Sequence, residues 1–253
     1  MILLRSLLFN VWFYGLTTVM LLATPALRLL APHRAVDYAR VWARLMLGGL
    51  RVLGGIGYEV TGLEHLPQTG PALLASMHQS AFDTIVWEVI APRFAIVLKQ
   101  ELTKIPLFGP MLTTAGMIPV DRAGGAAAVR QMLRAADRAM ADSRQILIFP
   151  EGTRVAPGVR APLHPGVAAL AARTGLPVIP VVTDSGRFWG RRAFRKMPGT
   201  IRIAILPPLA PGLKREALMQ RLAETFAEGA RTLGTPVDKS VGGALPPLPS
   251  RAS

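Results

Sequence analysis

Cysteine is absent from this chain. Its absence excludes disulfides, thiolate metal sites and cysteine nucleophiles. Histidine is scarce: His33, His65, His78 and His164 are the only four. None stands at metal-ligand spacing from another, so a zinc site is not expected and no metal is assigned. Acidic residues are few, with 15 Asp and Glu against 29 Lys and Arg, for a formal net charge of +14 and a pI of about 11.4. Charge as a whole is sparse, at 17% beside 51% hydrophobic residues, and the mean hydropathy of +0.36 is high for a freely soluble protein. A basic, apolar chain suits an anionic membrane surface, an acidic partner or nucleic acid. Its 253 residues suffice for one full core and a short accessory segment.

What is present begins with a long uncharged run. Residues 7–27 carry no charge and are bracketed by Arg5 and Arg28. The run is long enough to cross a bilayer core, too long for a signal-peptide apolar region, and no clean cleavage site follows. Asn10, Thr17, Thr18 and Pro25 weaken a spanning assignment. A second apolar stretch, 41–56, is interrupted by Arg44 and Arg51, seven residues apart and so near one helical face. That pattern fits a helix in the interface with snorkelling arginines. The expectation is a two-helix membrane anchor over residues 1–57, with Trp12, Phe13 and Tyr14 as interfacial aromatics. The alternative is a hydrophobic hairpin packed on the protein itself. Arginines concentrate after the first segment (Arg28, Arg34, Arg40, Arg44 against Arg5), so if that segment spans, the rest of the chain is expected on the cytoplasmic side of the inner membrane.

Beyond Gly62, short apolar runs alternate with helical stretches. The strands expected are 58–61, 71–76, 95–98, 117–120, 145–149, 178–183 and 202–206; the helices are 80–90, 108–114, 126–142, 166–174 and 214–233. Alternation of this kind argues an α/β layer. The expected organisation is an α/β domain over 58–235, with a mixed sheet flanked by helices. The Pro- and Gly-rich tail 236–253 is expected to be disordered.

Two motifs carry chemistry. His78-Gln79-Ser80-Ala81-Phe82-Asp83 follows the apolar run 72–75, and Phe149-Pro150-Glu151-Gly152-Thr153-Arg154 follows 145–148. A histidine with a carboxylate five residues on is a general base with an orienting partner. Five residues turn an α-helix by roughly 140°, so the two side chains cannot share one helical face. His78 is therefore expected on the turn before a helix, Asp83 in its first turn, and Ser80 as the N-cap. The second motif joins a carboxylate, a glycine turn and an arginine, which suits an anionic substrate. Each has a plainer reading: Asp83 as a cap, 149–152 as a strand exit into a turn, and Arg122 and Arg154 as solvated charges.

Taken together, the segments resemble the glycerophospholipid acyltransferase family, in its bacterial 1-acyl-sn-glycerol-3-phosphate acyltransferase (PlsC-type) branch. The likeness rests on four blocks in order. They are the hexad 78–83; Lys99-Gln100-Glu101-Leu102 with 105–109 and Gly116-Met117-Ile118-Pro119-Val120-Asp121-Arg122; the motif 149–154; and Val178-Ile179-Pro180-Val181. Met77 stands where many relatives have Asn, Asp184 where many have Asn, and His164 where Lys is common.

The resemblance implies acyl transfer from acyl-CoA or acyl-carrier protein, as co-substrate, to the sn-2 hydroxyl of lysophosphatidate in the membrane. No cofactor is implied. His78 would act as base and Asp83 would fix its tautomer. Backbone N–H groups near Gly152 or Ser80 are candidates for the oxyanion. Arg122, Arg154 and then Lys99 are the phosphate cations, because a planar guanidinium binds phosphate bidentately. Glu151, Gly152 and Thr153 complete the substrate-binding set, with Glu151 expected to orient an arginine or the glycerol hydroxyl. Another hydroxyl acceptor, a lyso-aminolipid or glycerol 3-phosphate, and a non-catalytic lipid-binding protein stay open as alternatives.

One further stretch, 187–196, mixes Arg187, Arg191, Arg192, Arg195 and Lys196 with Phe188, Trp189 and Phe194. It fits lipid headgroups, an acidic carrier protein or CoA phosphates, or else a loop with locally packed aromatics. With an anchor present, nucleic acid is not the expected partner.

Overall fold

The computed structural model describes residues 1–91 and 93–235; the tail expected to be disordered lies outside them. Seven strands form one sheet: β1 (Ile56–Thr61), β2 (Ala72–Ser76), β3 (Phe94–Lys99), β4 (Ile118–Val120), β5 (Gln145–Ile148), β6 (Val178–Thr183) and β7 (Gly199–Ile205). Their spatial order is β1-β7-β6-β2-β5-β3-β4. The strands from β6 through β4 in that order are parallel; β7 runs antiparallel to β6 and carries β1 parallel to itself. The sheet is therefore mixed, as the alternating sequence pattern predicts.

The central strand β2 is buried along its whole length. Its residues alternate between two apolar clusters: Ala72 and Leu74 join one, Leu73 and Ala75 the other. Leu147 against Ile146 and Ile148 in β5 divide the same way. A strand covered on both faces needs continuous apolar sequence, which is what these runs supply.

One face is covered by α1 (Ile2–Leu30), α2 (Ala35–Gly49), α3 (Phe82–Ile85), α4 (Trp87–Ile90) and α5 (Phe108–Thr114). The other carries α6 (Gly125–Ala141), α7 (Gly166–Thr174) and α8 (Arg215–Thr232). The helix expected over 80–90 is two short pieces, α3 and α4, joined at Val86.

Helix α1 is long and apolar enough to cross a membrane, with 11% of its most apolar window buried in the protein. It runs through Pro25. Proline has no N–H for the carbonyl four residues back; here the Thr24 hydroxyl donates to that carbonyl, Leu21 O, at 2.7 Å. Helix α2 lies against α1 and continues as a π turn, Leu50–Gly54. Trp12 Nε1 donates to Leu45 O at 3.2 Å, and Trp42 Nε1 to Thr17 Oγ1 at 3.2 Å. Gly49 has a packing reason: a Cβ there would fall 2.2 Å from the Trp12 indole. Of the three expected interfacial aromatics, Trp12 is engaged between helices and Phe13 packs on Trp189, while Tyr14 is 67% exposed.

The 187–196 stretch is docked on α1 through part of its residues. Trp189 is buried and meets Phe9 and Phe13 edge-on, at 5.2 and 5.6 Å between ring centroids. Lys196 is 2% exposed. Its ammonium donates to Asn10 Oδ1 (3.1 Å), Ala193 O (2.8 Å) and Phe194 O (3.0 Å), and its backbone N–H donates to Ser6 Oγ at 2.8 Å. Burial without a carboxylate partner pushes its pKa down to about 8. Arg187, Arg191, Arg192 and Arg195 remain exposed. The stretch is thus a packed loop for its tryptophan and lysine, and a cationic surface for its arginines.

Candidate active site

Strands β2 and β5 are neighbours, yet the chain leaves them toward opposite faces. After β2 it enters α3 and α4 on the α1 side; after β5 it reaches α7 on the other. A crevice opens between adjacent parallel strands where their connections diverge, at the carboxyl edge. His78 follows β2 and Glu151 follows β5 into that crevice.

His78 sits on the turn and Asp83 in α3. Nδ1 of His78 lies 3.2 Å from Asp83 Oδ2. The same oxygen accepts the backbone N–H groups of Gln79 (2.7 Å) and Ser80 (2.8 Å). Asp83 therefore caps the turn and meets the imidazole with one atom. Ser80 Oγ accepts from Phe82 N–H at 3.1 Å, a cap two residues on rather than three. Asp83 is 2% exposed, and its Oδ1 is buried without a partner among the described residues. The imidazole stacks on Phe149, with ring centroids 4.2 Å apart and planes 21° from parallel. Backbone bonds below and an aromatic face beside it leave the ring little freedom.

Glu151 does something the sequence did not foretell. Its Oε2 accepts the backbone N–H of His78 at 2.6 Å, rather than orienting an arginine. Val155 N–H donates to His78 O at 2.7 Å. Both sides of the His78 peptide are thus tied to the 149–155 loop. Glu151 is 5% exposed, and its carboxyl is pushed up to about 8, first by burial and then by nearby Asp83, against the lowering effect of the His78 N–H.

Gly152 is required twice over. Its φ of +67° is left-handed, and a Cβ would lie 2.7 Å from the His164 ring. The exposed His164 ring lies against this turn. Met77 is 7% exposed and packs in the core. Asp184 is fully buried: Arg202 grips it with Nε at 3.0 Å and Nη2 at 2.8 Å. Two residues on, Gly186 N–H donates to Gln79 Oε1 at 3.0 Å, bracing the hexad from β6.

The oxyanion candidates need revision. The N–H groups of Gln79 and Ser80 are taken by Asp83, and that of Gly152 by Phe149 O at 3.0 Å. Among the described residues, the N–H groups of Thr153 and Arg154 carry no hydrogen bond.

Of the cations, Arg154 is half-buried on the loop beside His78. Arg122, exposed after β4, donates to Gly152 O and so bridges two strand exits. Lys99 ends β3 and is ion-paired with Glu101 at 2.8 Å. Thr153 is exposed on the same rim. No cluster of three His, Asp or Glu suited to a metal ion occurs among the described residues.

Fold and site define a class: an α/β enzyme with a histidine–aspartate pair at a sheet switch point, under a cationic rim. A family model described as Acyltransferase matches residues 57–184. The 1-acyl-sn-glycerol-3-phosphate acyltransferase of Pseudomonas aeruginosa is 32% identical over 227 residues, 88% of this chain and 87% of that protein. The 1-acyl-sn-glycerol-3-phosphate acyltransferase of Limnanthes alba is 32% identical over 199 residues, 78% of this chain and 67% of its own. The crystal structure of the acyltransferase PlsC from Thermotoga maritima shares the fold, with a TM-score of 0.75 at 22% identity over 94% of this chain and all of that one. The chain belongs to the acyltransferase family.

Proposed function

We propose that this protein is a membrane-associated 1-acyl-sn-glycerol-3-phosphate acyltransferase. It moves a fatty acyl group from a thioester, acyl-CoA or acyl-carrier protein, to the sn-2 hydroxyl of lysophosphatidate and yields phosphatidate. The observation that carries the reading is the His78–Asp83 pair, 3.2 Å apart at the carboxyl edge of the sheet, in a chain whose bacterial and plant relatives bear that activity in their names.

His78 Nε2 takes the hydroxyl proton as the oxygen attacks the thioester carbonyl. The tetrahedral intermediate then collapses, the C–S bond breaks, and the proton passes from the imidazolium to the departing thiolate. Asp83 holds Nδ1–H, fixing the tautomer and steadying the imidazolium. Glu151 is a positioning group that pins the His78 peptide. The N–H groups of Thr153 and Arg154, and that of Ala81 at the start of α3, carry no other hydrogen bond among the described residues and are the donors proposed for the oxyanion. Arg154 takes the acceptor phosphate. Arg122 spends part of its five-donor guanidinium bracing the loop and offers the rest to phosphate; Lys99 is third. The chemistry calls on no resident metal or cofactor.

Helix α1 and the exposed side of α2 hold the enzyme on the bilayer where its acceptor lies. With α1 spanning, the excess of arginines after it supports a site on the cytoplasmic side of the inner membrane. The test is His78→Ala, followed by thiol release with lysophosphatidate as acceptor. A loss of about 1,000-fold is expected, with vesicle binding unchanged. Retention of a tenth or more of the activity rejects the mechanism.

A further inference from the structure

The three helices on the sheet face away from α1 and α2 differ in charge. Helix α8 is balanced, with Arg215, Arg221 and Arg231 against Glu216, Glu224 and Glu228. Helix α7 carries Arg173, which is paired with Asp137 of α6 at 2.7 Å. Helix α6 itself carries Arg130, Arg134 and Arg138, all exposed, and its one acid, Asp137, is spent on Arg173. The guanidinium groups of Arg130, Arg134 and Arg138 have no ion-pair or hydrogen-bond partner among the described residues.

The arginine row has a direction. Each step of four residues advances about 6 Å along an α-helix and drifts about 40° around it, so the row is a ladder inclined to the helix axis. Helix α6 starts directly after β4 and the Arg122 turn, so its amino end stands at the carboxyl edge of the sheet, where His78 lies. At the amino end of the helix, before the first arginine, the exposed side chains are small or modest (Ala126, Ala127 and Val129), and the exposed residue between Arg130 and Arg134 is Gln131. A row of cations without ion-pair partners among the described residues, with small side chains at the end nearer the site, is a surface suited to something large and acidic.

We infer that the exposed face of α6 docks an acidic helix of the acyl donor, so that the donor is a carrier protein delivering its thioester over the Arg122 turn. The inference rests on the acyl-transfer reading above and goes beyond it by choosing the donor and its seat. Three considerations support a protein. Carboxylates four apart on a partner helix have the same rise of about 6 Å as the arginines. Charge complementarity of this kind raises association rates for a macromolecular partner. And α6 lies on the sheet face opposite α1 and α2, so a soluble partner reaches it without crossing the lipid side. By contrast, Arg187 pairs with Asp184 at 3.8 Å, and Arg191, Arg192 and Arg195 belong to the loop whose Trp189 and Lys196 dock on α1.

The test uses the full chain in detergent or vesicles, with lysophosphatidate as acceptor and either acyl-carrier protein or acyl-CoA as donor. The variant is R130E/R134E, two exposed positions on α6 outside the site residues named above. Its KM for acyl-carrier protein is expected to rise at least tenfold with kcat within twofold, while KM for acyl-CoA stays within twofold. Binding of a fluorescently labelled carrier protein to the wild type is expected to weaken steeply with salt and to vanish in the variant. An unchanged KM for the carrier protein, or an equal rise for both donors, overturns the inference. So does a wild type that turns over acyl-CoA but neither binds nor uses the carrier protein, an outcome that leaves the acyl-transfer reading standing. Salt-sensitive carrier-protein binding that R130E/R134E abolishes, with no turnover of either donor, supports the docking surface and breaks the acyl-transfer reading instead.

Discussion

On one side of the sheet, α1 leaves Leu4, Val11, Val19 and Leu22 at 61%, 64%, 65% and 66% exposure. On the other, α6 leaves Arg130, Arg134 and Arg138 in the open. Inside, the two sides are alike: each buries a cluster dominated by Leu, Ile, Val, Ala and Met against the same strands. Packing the sheet therefore does not require the outer difference. An apolar helix exterior of this extent marks a surface that meets something other than water, and the arginine-bearing exterior marks one that stays in it. The site lies on the edge between them, which suits the proposed approach of a lipid acceptor and a water-borne donor from different sides.

The sharpest way to break this contrast is to charge the lipid side. A carboxylate at the centre of an apolar helix costs about 3 kcal/mol on insertion. Val19→Asp should lower partition into vesicles by about 100-fold, measured by flotation. Ala127→Asp on α6 should leave it unchanged. Equal flotation of the two variants would mean the two faces do not differ in what they meet.

A second test falls on the edge itself. The Glu151 carboxyl is pushed up to about 8 in the fold from an ordinary 4.5. The folded protein therefore keeps a proton that the unfolded chain gives up. That contribution is complete below the unfolded value and is lost as pH rises through 8. Glu151→Gln keeps an acceptor for the His78 N–H and cannot ionise. Relative to this variant, the wild type should lose about 2 kcal/mol of stability between pH 6 and pH 8.5, read as a falling Tm difference in detergent. A pH-independent difference would show Glu151 ionised throughout.

The smallest effect concerns the acceptor side alone. Arg154→Ala should raise KM for lysophosphatidate about tenfold, or about 1.4 kcal/mol, and leave KM for the thioester within twofold. Equal rises would take Arg154 out of phosphate binding.

Much of this architecture was readable from the chain. The runs 72–75, 146–148 and 178–182 are apolar throughout, as a strand covered on both faces requires. The turn-then-helix placement of the hexad followed from helix rotation alone. What could not be read depends on distant partners. Nothing near Glu151 in sequence indicates that its carboxylate meets the His78 peptide, 73 residues away. Nor does the stretch 187–196 reveal that Trp189 and Lys196 turn inward onto α1 while the arginines between them stay outside. The split of the 80–90 helix at Val86 was missed because the apolar period runs unbroken through it.

The seat of α1 has a consequence in time. Ser6 and Phe9 are held by Lys196 and Trp189, some 190 residues later in the chain. At about 5–20 residues per second, a ribosome finishes that seat roughly ten to forty seconds after the helix has emerged. During this interval α2 is the main protein surface the helix can rest on, and a nearby bilayer is the further shelter on offer. Synthesis order alone thus favours lipid first and the catalytic body second, so that the finished enzyme closes onto a helix already in place.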